Sequence, residues 1–340
     1  MNVLIVGFGT AGKYYLEVLK RFPKIKNIYV YEKKNIPNSK KYQKIDFDLN
    51  LIKKLKINYA FIATPPNLHF KYAERLLENS INVLIEKPFV LKIEEGKKLI
   101  KIAQKKNMKC WVVFQNRYNL AIQKLKKIVA QKKLGKIFLV DCSLLWKRDK
   151  KYYKTSWRGK YKSDGGVLSN QAIHLLDAII YVFGEIKELS SILRYNKNKL
   201  EAEDLAILNL IYKNNLIVNM KATTRADANY RSAMDVIGEK GRALVKGISL
   251  NTFHFIKESQ VVNDKKNSED FQSGEGAIGA MGNGHYKILK EFLDKGQKGS
   301  TKDLEISKNM HVLKILHSIY NSKNRNIYEK VKNKQSKLGR

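Results

Sequence analysis

Three observations predict an α/β protein of two domains, the first built on a doubly wound, mostly parallel sheet and the second an α+β domain with a large, mainly antiparallel sheet. Short apolar strands alternate with charged, helix-period segments over the first third of the chain, the rhythm of parallel βαβ units. A Gly-x-Gly-x-x-Gly run joins the first of these strands to the first helix. Beyond Lys187 longer strands flank short polar turns instead, which implies antiparallel hairpins. The 340 residues suit two domains. The boundary is expected near residue 118, giving a first domain of 1–118 and a second of 119–340.

Taken in order, Asn2–Gly7 reads as a buried strand and Lys13–Arg21 as a helix with Tyr14, Val18 and Leu19 inward. Asn27–Tyr31, Tyr59–Ala63 and Asn82–Glu86 are further strands, with a helix over Leu68–Asn79 between the last two. A helix at Ile93–Lys106 leads to the apolar run Lys109–Phe114. Tyr118–Lys132 then reads as a long helix, and Gly135–Trp146 alternates as a half-exposed strand. Leu205–Tyr212 and Leu216–Thr223 flank Lys213-Asn214-Asn215, and Ala233–Ile237 and Ala243–Lys246 flank Gly238–Gly241. Asp264–Gly284 is polar and glycine-rich, expected as a surface loop, and helices at His285–Asp294 and Glu305–Ser318 close the chain.

The run Gly7-Phe8-Gly9-Thr10-Ala11-Gly12 is the dinucleotide fingerprint of a Rossmann domain in its proper context, ending a strand and opening a helix. Gly7 allows the tight turn, Gly9 admits the pyrophosphate to the backbone, and Gly12 lets helix and strand pack closely. The helix N-terminus receives the phosphate charge. Glu32 ends the second strand, where a carboxylate accepts the ribose hydroxyls and repels a 2′-phosphate. NAD is therefore expected over NADP, although Lys33 and Lys34 follow directly. Ala63-Thr64-Pro65-Pro66-Asn67-Leu68-His69 and Glu86-Lys87-Pro88 end two other strands. Both fall at the carboxyl edge of the sheet, where open α/β sheets bind ligands. A lysine held there can donate to a substrate hydroxyl and share its proton.

Composition excludes other classes. The formal net charge of +35 invites a nucleic-acid reading. Only eleven of the 66 basic residues are Arg, and the lysines are spread along the whole chain. Base readout and bidentate phosphate contacts favour Arg, so no specific nucleic-acid partner is expected. The longest stretch without Lys, Arg, Asp or Glu, Ile57–Phe70, is too short for a membrane span and carries Pro65 and Pro66. No basic segment precedes the first apolar run, so a cytoplasmic protein is expected. Cys110 and Cys142 are the only cysteines, and His311 and His317 do not share a helical face, so no metal site is expected.

The early glycine fingerprint, the Ala-Thr-Pro-Pro turn, Glu-Lys-Pro and the two-domain rhythm together resemble the glucose–fructose oxidoreductase/inositol dehydrogenase/MocA (Gfo/Idh/MocA) family over essentially the whole chain. The resemblance implies an NAD(P)-dependent dehydrogenase of sugars or cyclitols that commonly forms dimers or tetramers, with Lys87 as a catalytic lysine. Cofactor contacts would then come from Gly7, Phe8, Gly9, Thr10, Ala11, Gly12, Glu32, Thr64, Pro65, His69, Glu86, Lys87, Gln115 and Arg117.

In the second half, Asp164-Gly165-Gly166 leads into an apolar helix on which Asn170, His174 and Asp177 fall at i, i+4 and i+7. His174 is the expected base, since an imidazole titrates near neutrality. Many family members carry an Asp four residues before this His, where Asn170 stands here. An amide can bind a hydroxyl but not take its proton, so proton removal falls to His174 assisted by Lys87. Asp177 would orient the imidazole, or cap or pair within the helix. Phe114–Asn119, Tyr152-Tyr153, Trp157-Arg158-Gly159, Asn170-Gln171 and Gly282–Tyr286 further resemble one branch of the family, the UDP-N-acetylglucosaminuronate 3-dehydrogenases. Those enzymes oxidise a sugar 3-hydroxyl to a ketone during surface-polysaccharide synthesis. That resemblance implies a nucleotide sugar between the domains, contacted by Lys87, Arg117, Tyr153, Trp157, Arg158, Asn170, Gln171 and His174. Arg117 and Arg158 offer planar forks for carboxylate or diphosphate. A free sugar or cyclitol is the alternative substrate, and a cofactor-binding sensor without catalysis the alternative class.

Overall fold

A computed structural model describes residues 1–37, 39–195, 200–257, 260–263, 284–294, 302–322, 329–330 and 335–339. By its internal contacts the chain divides after Val113 rather than near residue 118, and His285–Met310 packs with the N-terminal unit. The second unit comprises Phe114–Gly284 and His311–Arg340.

The first unit runs β1 (Asn2–Val6), α1 (Thr10–Leu19), β2 (Asn27–Tyr31), β3 (Gln43–Lys44), α2 (Leu49–Lys54), β4 (Ile57–Ile62), α3 (His69–Glu78), β5 (Asn82–Ile85), α4 (Ile93–Lys106) and β6 (Cys110–Val112). All pairings are parallel, in the order β3-β2-β1-β4-β5-β6. This is the doubly wound order, with its switch point between β1 and β4. The strands are apolar at nearly every position because helices cover both faces, and Val3–Val6 and Ala60–Ile62 are fully buried. Tyr14, Val18 and Leu19 of α1 are buried as their spacing predicts. The short β3 and α2 are not anticipated by the sequence pattern; α2 is six residues long, with Asp48 capping Leu51 N.

The second unit opens with a 3₁₀ turn at Gln115–Tyr118, then α5 (Leu120–Ala130), β7 (Ile137–Leu145), α6 (Lys150–Tyr153), α7 (Val167–Asn170) and α8 (Ile173–Phe183). Strands β8 (Glu188–Arg194), β9 (Leu205–Ile211), β10 (Ile217–Thr223), β11 (Arg231–Gly238), β12 (Gly241–Lys246), β13 (Thr252–Lys257) and β14 (Gln260–Asn263) follow. With β15 (Glu329–Lys330) they form one sheet, β14-β13-β12-β11-β7-β10-β9-β8-β15. The expected hairpins β9–β10 and β11–β12 are antiparallel. Asn215 takes φ +62°, the left-handed turn conformation that Asn tolerates. The pair β7–β10 is parallel, the one departure from an antiparallel ladder. One face of this sheet is apolar and buried, as at Val140, Cys142, Val218, Met220, Leu208 and Leu210, and alternation follows from the two-residue side-chain period.

The predicted C-terminal helices are α9 (Gly284–Leu293) and α10 (Ile306–Ser322). Phe292 of α9 packs edge-on to Tyr59 and Phe61 and against Trp111. Lys109 donates to the carbonyls of Phe292 and Asp294 at 3.0 and 2.8 Å, capping the end of α9. These contacts seal α9 to the first sheet, a long-range outcome that a linear boundary at 118 does not anticipate. The expected loop at 264–283 lies outside the described residues.

Candidate active site

In the first unit the glycine turn closes over the sheet at its switch point. Gly7 has φ +95°, and a Cβ there would sit 2.8 Å from the backbone of Ala63 and Thr64. A Cβ on Gly12 would run into the carbonyl of Gly7, so α1 crosses β1 at backbone contact. Gly9 differs: a Cβ there meets no protein atom within 4 Å. Gly9 caps α1 without any side-chain hydrogen bond, and the first turn, which includes Thr10 and Ala11, carries no acid. The N-terminal amides of α1 are thus left for an anion. Glu32 Oε2 accepts the Phe8 amide at 2.7 Å and Oε1 accepts the Lys34 amide at 3.1 Å. The acid therefore stands against the fingerprint loop. The Phe8 ring lies 4.9 Å from Tyr42.

Thr64 Oγ1 is buried and makes no hydrogen bond to protein, a polar atom available to a ligand at the end of β4. A proline turn follows, with Leu68 N bonded to Pro65 O. The glycine cradle, the open α1 N-terminus, Glu32 and the orphaned Thr64 hydroxyl fit a dinucleotide. His69 is fully buried and ties two strand ends together: Nε2 lies 2.9 Å from Thr64 O and Nδ1 2.9 Å from Pro88 O. Burial pulls its pKa below the ordinary histidine value, against the two carbonyls and Glu86. The Lys87-Pro88 peptide is cis. Glu86 Oε1 accepts the Tyr15 hydroxyl at 2.5 Å and lies 3.8 Å from His285 Nε2. Burial pushes the Glu86 carboxyl upward, but His285, Tyr15 and Lys87 together outweigh it and hold it below the usual carboxylate range.

The second unit gathers a separate group. Arg117 lies in the turn before α5, and its Nε donates to Asp177 Oδ2 at 2.9 Å while Nη2 donates to Oδ1. Phe114 and Tyr181 flank the guanidinium, each ring centroid 5.1 Å away. Asp177 therefore pairs with Arg117 from outside its own helix, a partner other than the imidazole or the within-helix cap or pair expected for it, and burial still pushes its carboxyl above the usual range. Gln115 Oε1 is buried without a hydrogen-bond partner. The expected single helix through Asn170, His174 and Asp177 is broken after Asn170: α7 ends there, Ala172 N turns back to Val167 O, and α8 begins at Ile173. His174 is half-buried in the first turn of α8, whereas Asp177 is fully buried.

Asn170 Nδ2 donates to Asp164 Oδ2 at 2.7 Å, and Gln171 Nε2 donates to the Tyr152 hydroxyl at 3.0 Å. Arg158 donates to Tyr152 O at 3.0 Å, and its guanidinium lies 4.0 Å from the Tyr152 ring centroid and 4.8 Å from that of Trp157. Such stacking is favourable where the cation is desolvated. Arg158 Nε and Gln171 Oε1 are buried with no hydrogen-bond partner. The Tyr153 hydroxyl shares a 2.9 Å hydrogen bond with Thr224 Oγ1, and burial pushes its pKa up to about 12. Thus Arg158, Asn170 and Gln171 meet around Tyr152, with Trp157 against the Arg158 guanidinium. Asp164 opens the Gly165-Gly166 corner. Burial pushes its carboxyl up to about 7, although Asn170 and the amide of Gly159 oppose that rise.

Among the described residues no His, Cys, Asp or Glu cluster suits a metal ion, and no helix is long and apolar enough to cross a membrane. Residues 1–114 match the NAD-binding Rossmann-fold domain of the Gfo/Idh/MocA oxidoreductase family, and 122–244 match that family's C-terminal domain. The chain belongs to the Gfo/Idh/MocA family and is an oxidoreductase with an NAD-binding Rossmann domain. An uncharacterized oxidoreductase of Synechocystis is 23% identical over 273 residues, covering 74% of this chain and 73% of that protein. The scyllo-inositol 2-dehydrogenase (NADP(+)) IolW of Bacillus subtilis is 23% identical over 219 residues, 62% of this chain and 60% of its own. The WlbA dehydrogenase of Bordetella pertussis, solved with NADH and UDP-GlcNAcA, shares the fold with a TM-score of 0.83 at 21% identity, covering 98% of both chains.

Proposed function

We propose that the protein oxidises a secondary hydroxyl, at C3, of a nucleotide-linked sugar acid to the ketone, using NAD, as a step in nucleotide-sugar metabolism for surface polysaccharide. The observation that carries this reading is Arg158. Its guanidinium is stacked on Tyr152 and Trp157 beside the Asn170 and Gln171 amides, and its Nε has no hydrogen-bond partner. A planar cation with its Nε buried, among amides and aromatic faces, suits a carboxylate or diphosphate joined to a sugar. The shared fold with a dehydrogenase that binds UDP-GlcNAcA supports the same class.

Bound NAD supplies the hydride acceptor. The chain's own residues do the rest in this reading. His174 takes the hydroxyl proton, and the Lys87 ammonium donates to the oxygen that becomes the ketone. The Glu32 carboxylate against the fingerprint loop favours NAD over NADP. The test is NADH formation with UDP-GlcNAcA, UDP-GlcNAc and free sugars or cyclitols in parallel. Turnover with the nucleotide sugar acid alone supports the proposal. Turnover with free polyols alone replaces it with the second reading, favoured by the likeness to the inositol dehydrogenase IolW. Lys87→Ala and His174→Ala should each lower turnover by about 10²–10⁴ while sparing NAD affinity.

A further inference from the structure

The expected role of Lys87 leaves unexplained why a buried carboxylate immediately precedes it. Glu86 directly follows β5 with only 14% of its side chain exposed, and an isolated ion in that position is costly. Two groups from distant parts of the first unit converge on it. The Tyr15 hydroxyl of α1 donates to Oε1 at 2.5 Å. The His285 imidazole of α9, 3% exposed, stands 3.8 Å from the same oxygen. His285 is itself wedged edge-on to Tyr14 and Tyr15, with centroid distances of 4.9 and 6.1 Å. Its Nδ1 makes no hydrogen bond, so the ring's polar contact is the one toward Glu86. Packing alone explains an aromatic ring there; it does not explain an imidazole aimed at a carboxylate.

We propose that His285 is a positioning residue for the reaction: with Tyr15 it keeps Glu86 as the buried carboxylate against which the Lys87 ammonium is held. The inference rests on the reading of Lys87 as the catalytic lysine. The charged and titratable groups facing Glu86 are Tyr15 from α1, His285 from α9, Lys87 beside it, and His69 from α3, which feels both Glu86 and Lys87. Without His285, desolvation dominates and Glu86 takes up a proton at higher pH. Lys87 then loses the negative charge of Glu86 beside it, and its ammonium is harder to keep in a drying site.

The experiment compares His285→Leu, His285→Gln, Glu86→Gln and the double variant E86Q/H285L by two readouts. One is thermal unfolding against pH without cofactor. The other is the pH profile of turnover, with NADH affinity measured alongside. Glu86 is held below its unfolded pKa, so its contribution to stability is present above that value and is lost as pH falls. His285→Leu should begin that loss at least about one pH unit higher, His285→Gln should restore most of it, and the double variant should behave as Glu86→Gln. Glu86→Gln should bring the alkaline loss of turnover down by about one pH unit or more. An unmoved acid transition in His285→Leu, or an equal shift in the Glu86→Gln background, overturns the inference. So does an unmoved alkaline limb in Glu86→Gln. Wild-type turnover in Lys87→Ala instead defeats the reading of Lys87, while the acid transition still tests the Glu86–His285 coupling.

Discussion

Replacing Arg117 with Met isolates the energetics of the ion pair that ties the first turn of the second unit to the helix carrying His174. The side chains of Arg117 and Asp177 are 8% and 1% exposed, and the contact is a two-pronged fork. Methionine keeps much of the packing between Phe114 and Tyr181 but removes the charge. Asp177 is then a carboxylate in low dielectric with no partner, a situation that costs about 3–5 kcal/mol. At about 2–4 °C per kcal/mol the midpoint should fall by roughly 6–20 °C. The loss has a pH signature. Burial already lifts the Asp177 carboxyl above its ordinary value, and without Arg117 it rises further. The folded state then holds the proton more tightly than the unfolded one, so stability falls as pH rises between the unfolded and folded values. The variant should therefore recover on acidification from pH 8 to 5 more than wild type does. The paired variant R117M/D177L should regain most of the loss, because the cost comes from the stranded charge. Thermal unfolding at the two pH values reads all of this. A single variant within about 1 kcal/mol of wild type, or a paired variant no better than the single one, refutes the reasoning.

Three further outcomes are expected. Gly9→Ala, whose Cβ meets no protein atom, should keep the wild-type melting temperature but weaken NADH binding by about tenfold or more, whereas Gly12→Ala should lose both stability and binding; NADH fluorescence titration with thermal unfolding separates the two. Glu32→Ser should move cofactor preference toward NADP by roughly tenfold or more, read as the ratio of kcat/KM values, since in the proposed reading Glu32 is the charge that repels a 2′-phosphate. Burial holds the Asp164 and Glu203 carboxyls up at about 7, so their folded forms keep protons that the unfolded chain releases near pH 4. Their contribution should fall as pH rises from about 4 to about 7, and Asp164→Asn with Glu203→Gln should flatten that fall in the melting temperature.

The sequence alone determined most strands of the first sheet, though not the short β3, together with the fingerprint and the edge on which Thr64 and Lys87 stand. Each βαβ unit there is local: strand, turn and helix lie within about thirty residues, and hydrophobic period plus glycine chemistry specify them. The hairpins β9–β10 and β11–β12 were legible for the same reason. Other features depend on meetings between segments far apart in the chain, which no local pattern encodes. The parallel β7–β10 pair joins strands with two others between them in sequence. The start of α7 after the Gly165-Gly166 corner is held by a bond from a distant segment, Val167 N to Glu203 O. The Arg117–Asp177 fork spans 60 positions, and only folding shows that Arg117 is paired within its own unit. His285 reaches Glu86 because α9 returns to the first sheet by burying Phe292. Local propensity and periodicity act over a few residues, whereas burial of apolar surface decides which distant segments meet, and with them which buried charges find partners.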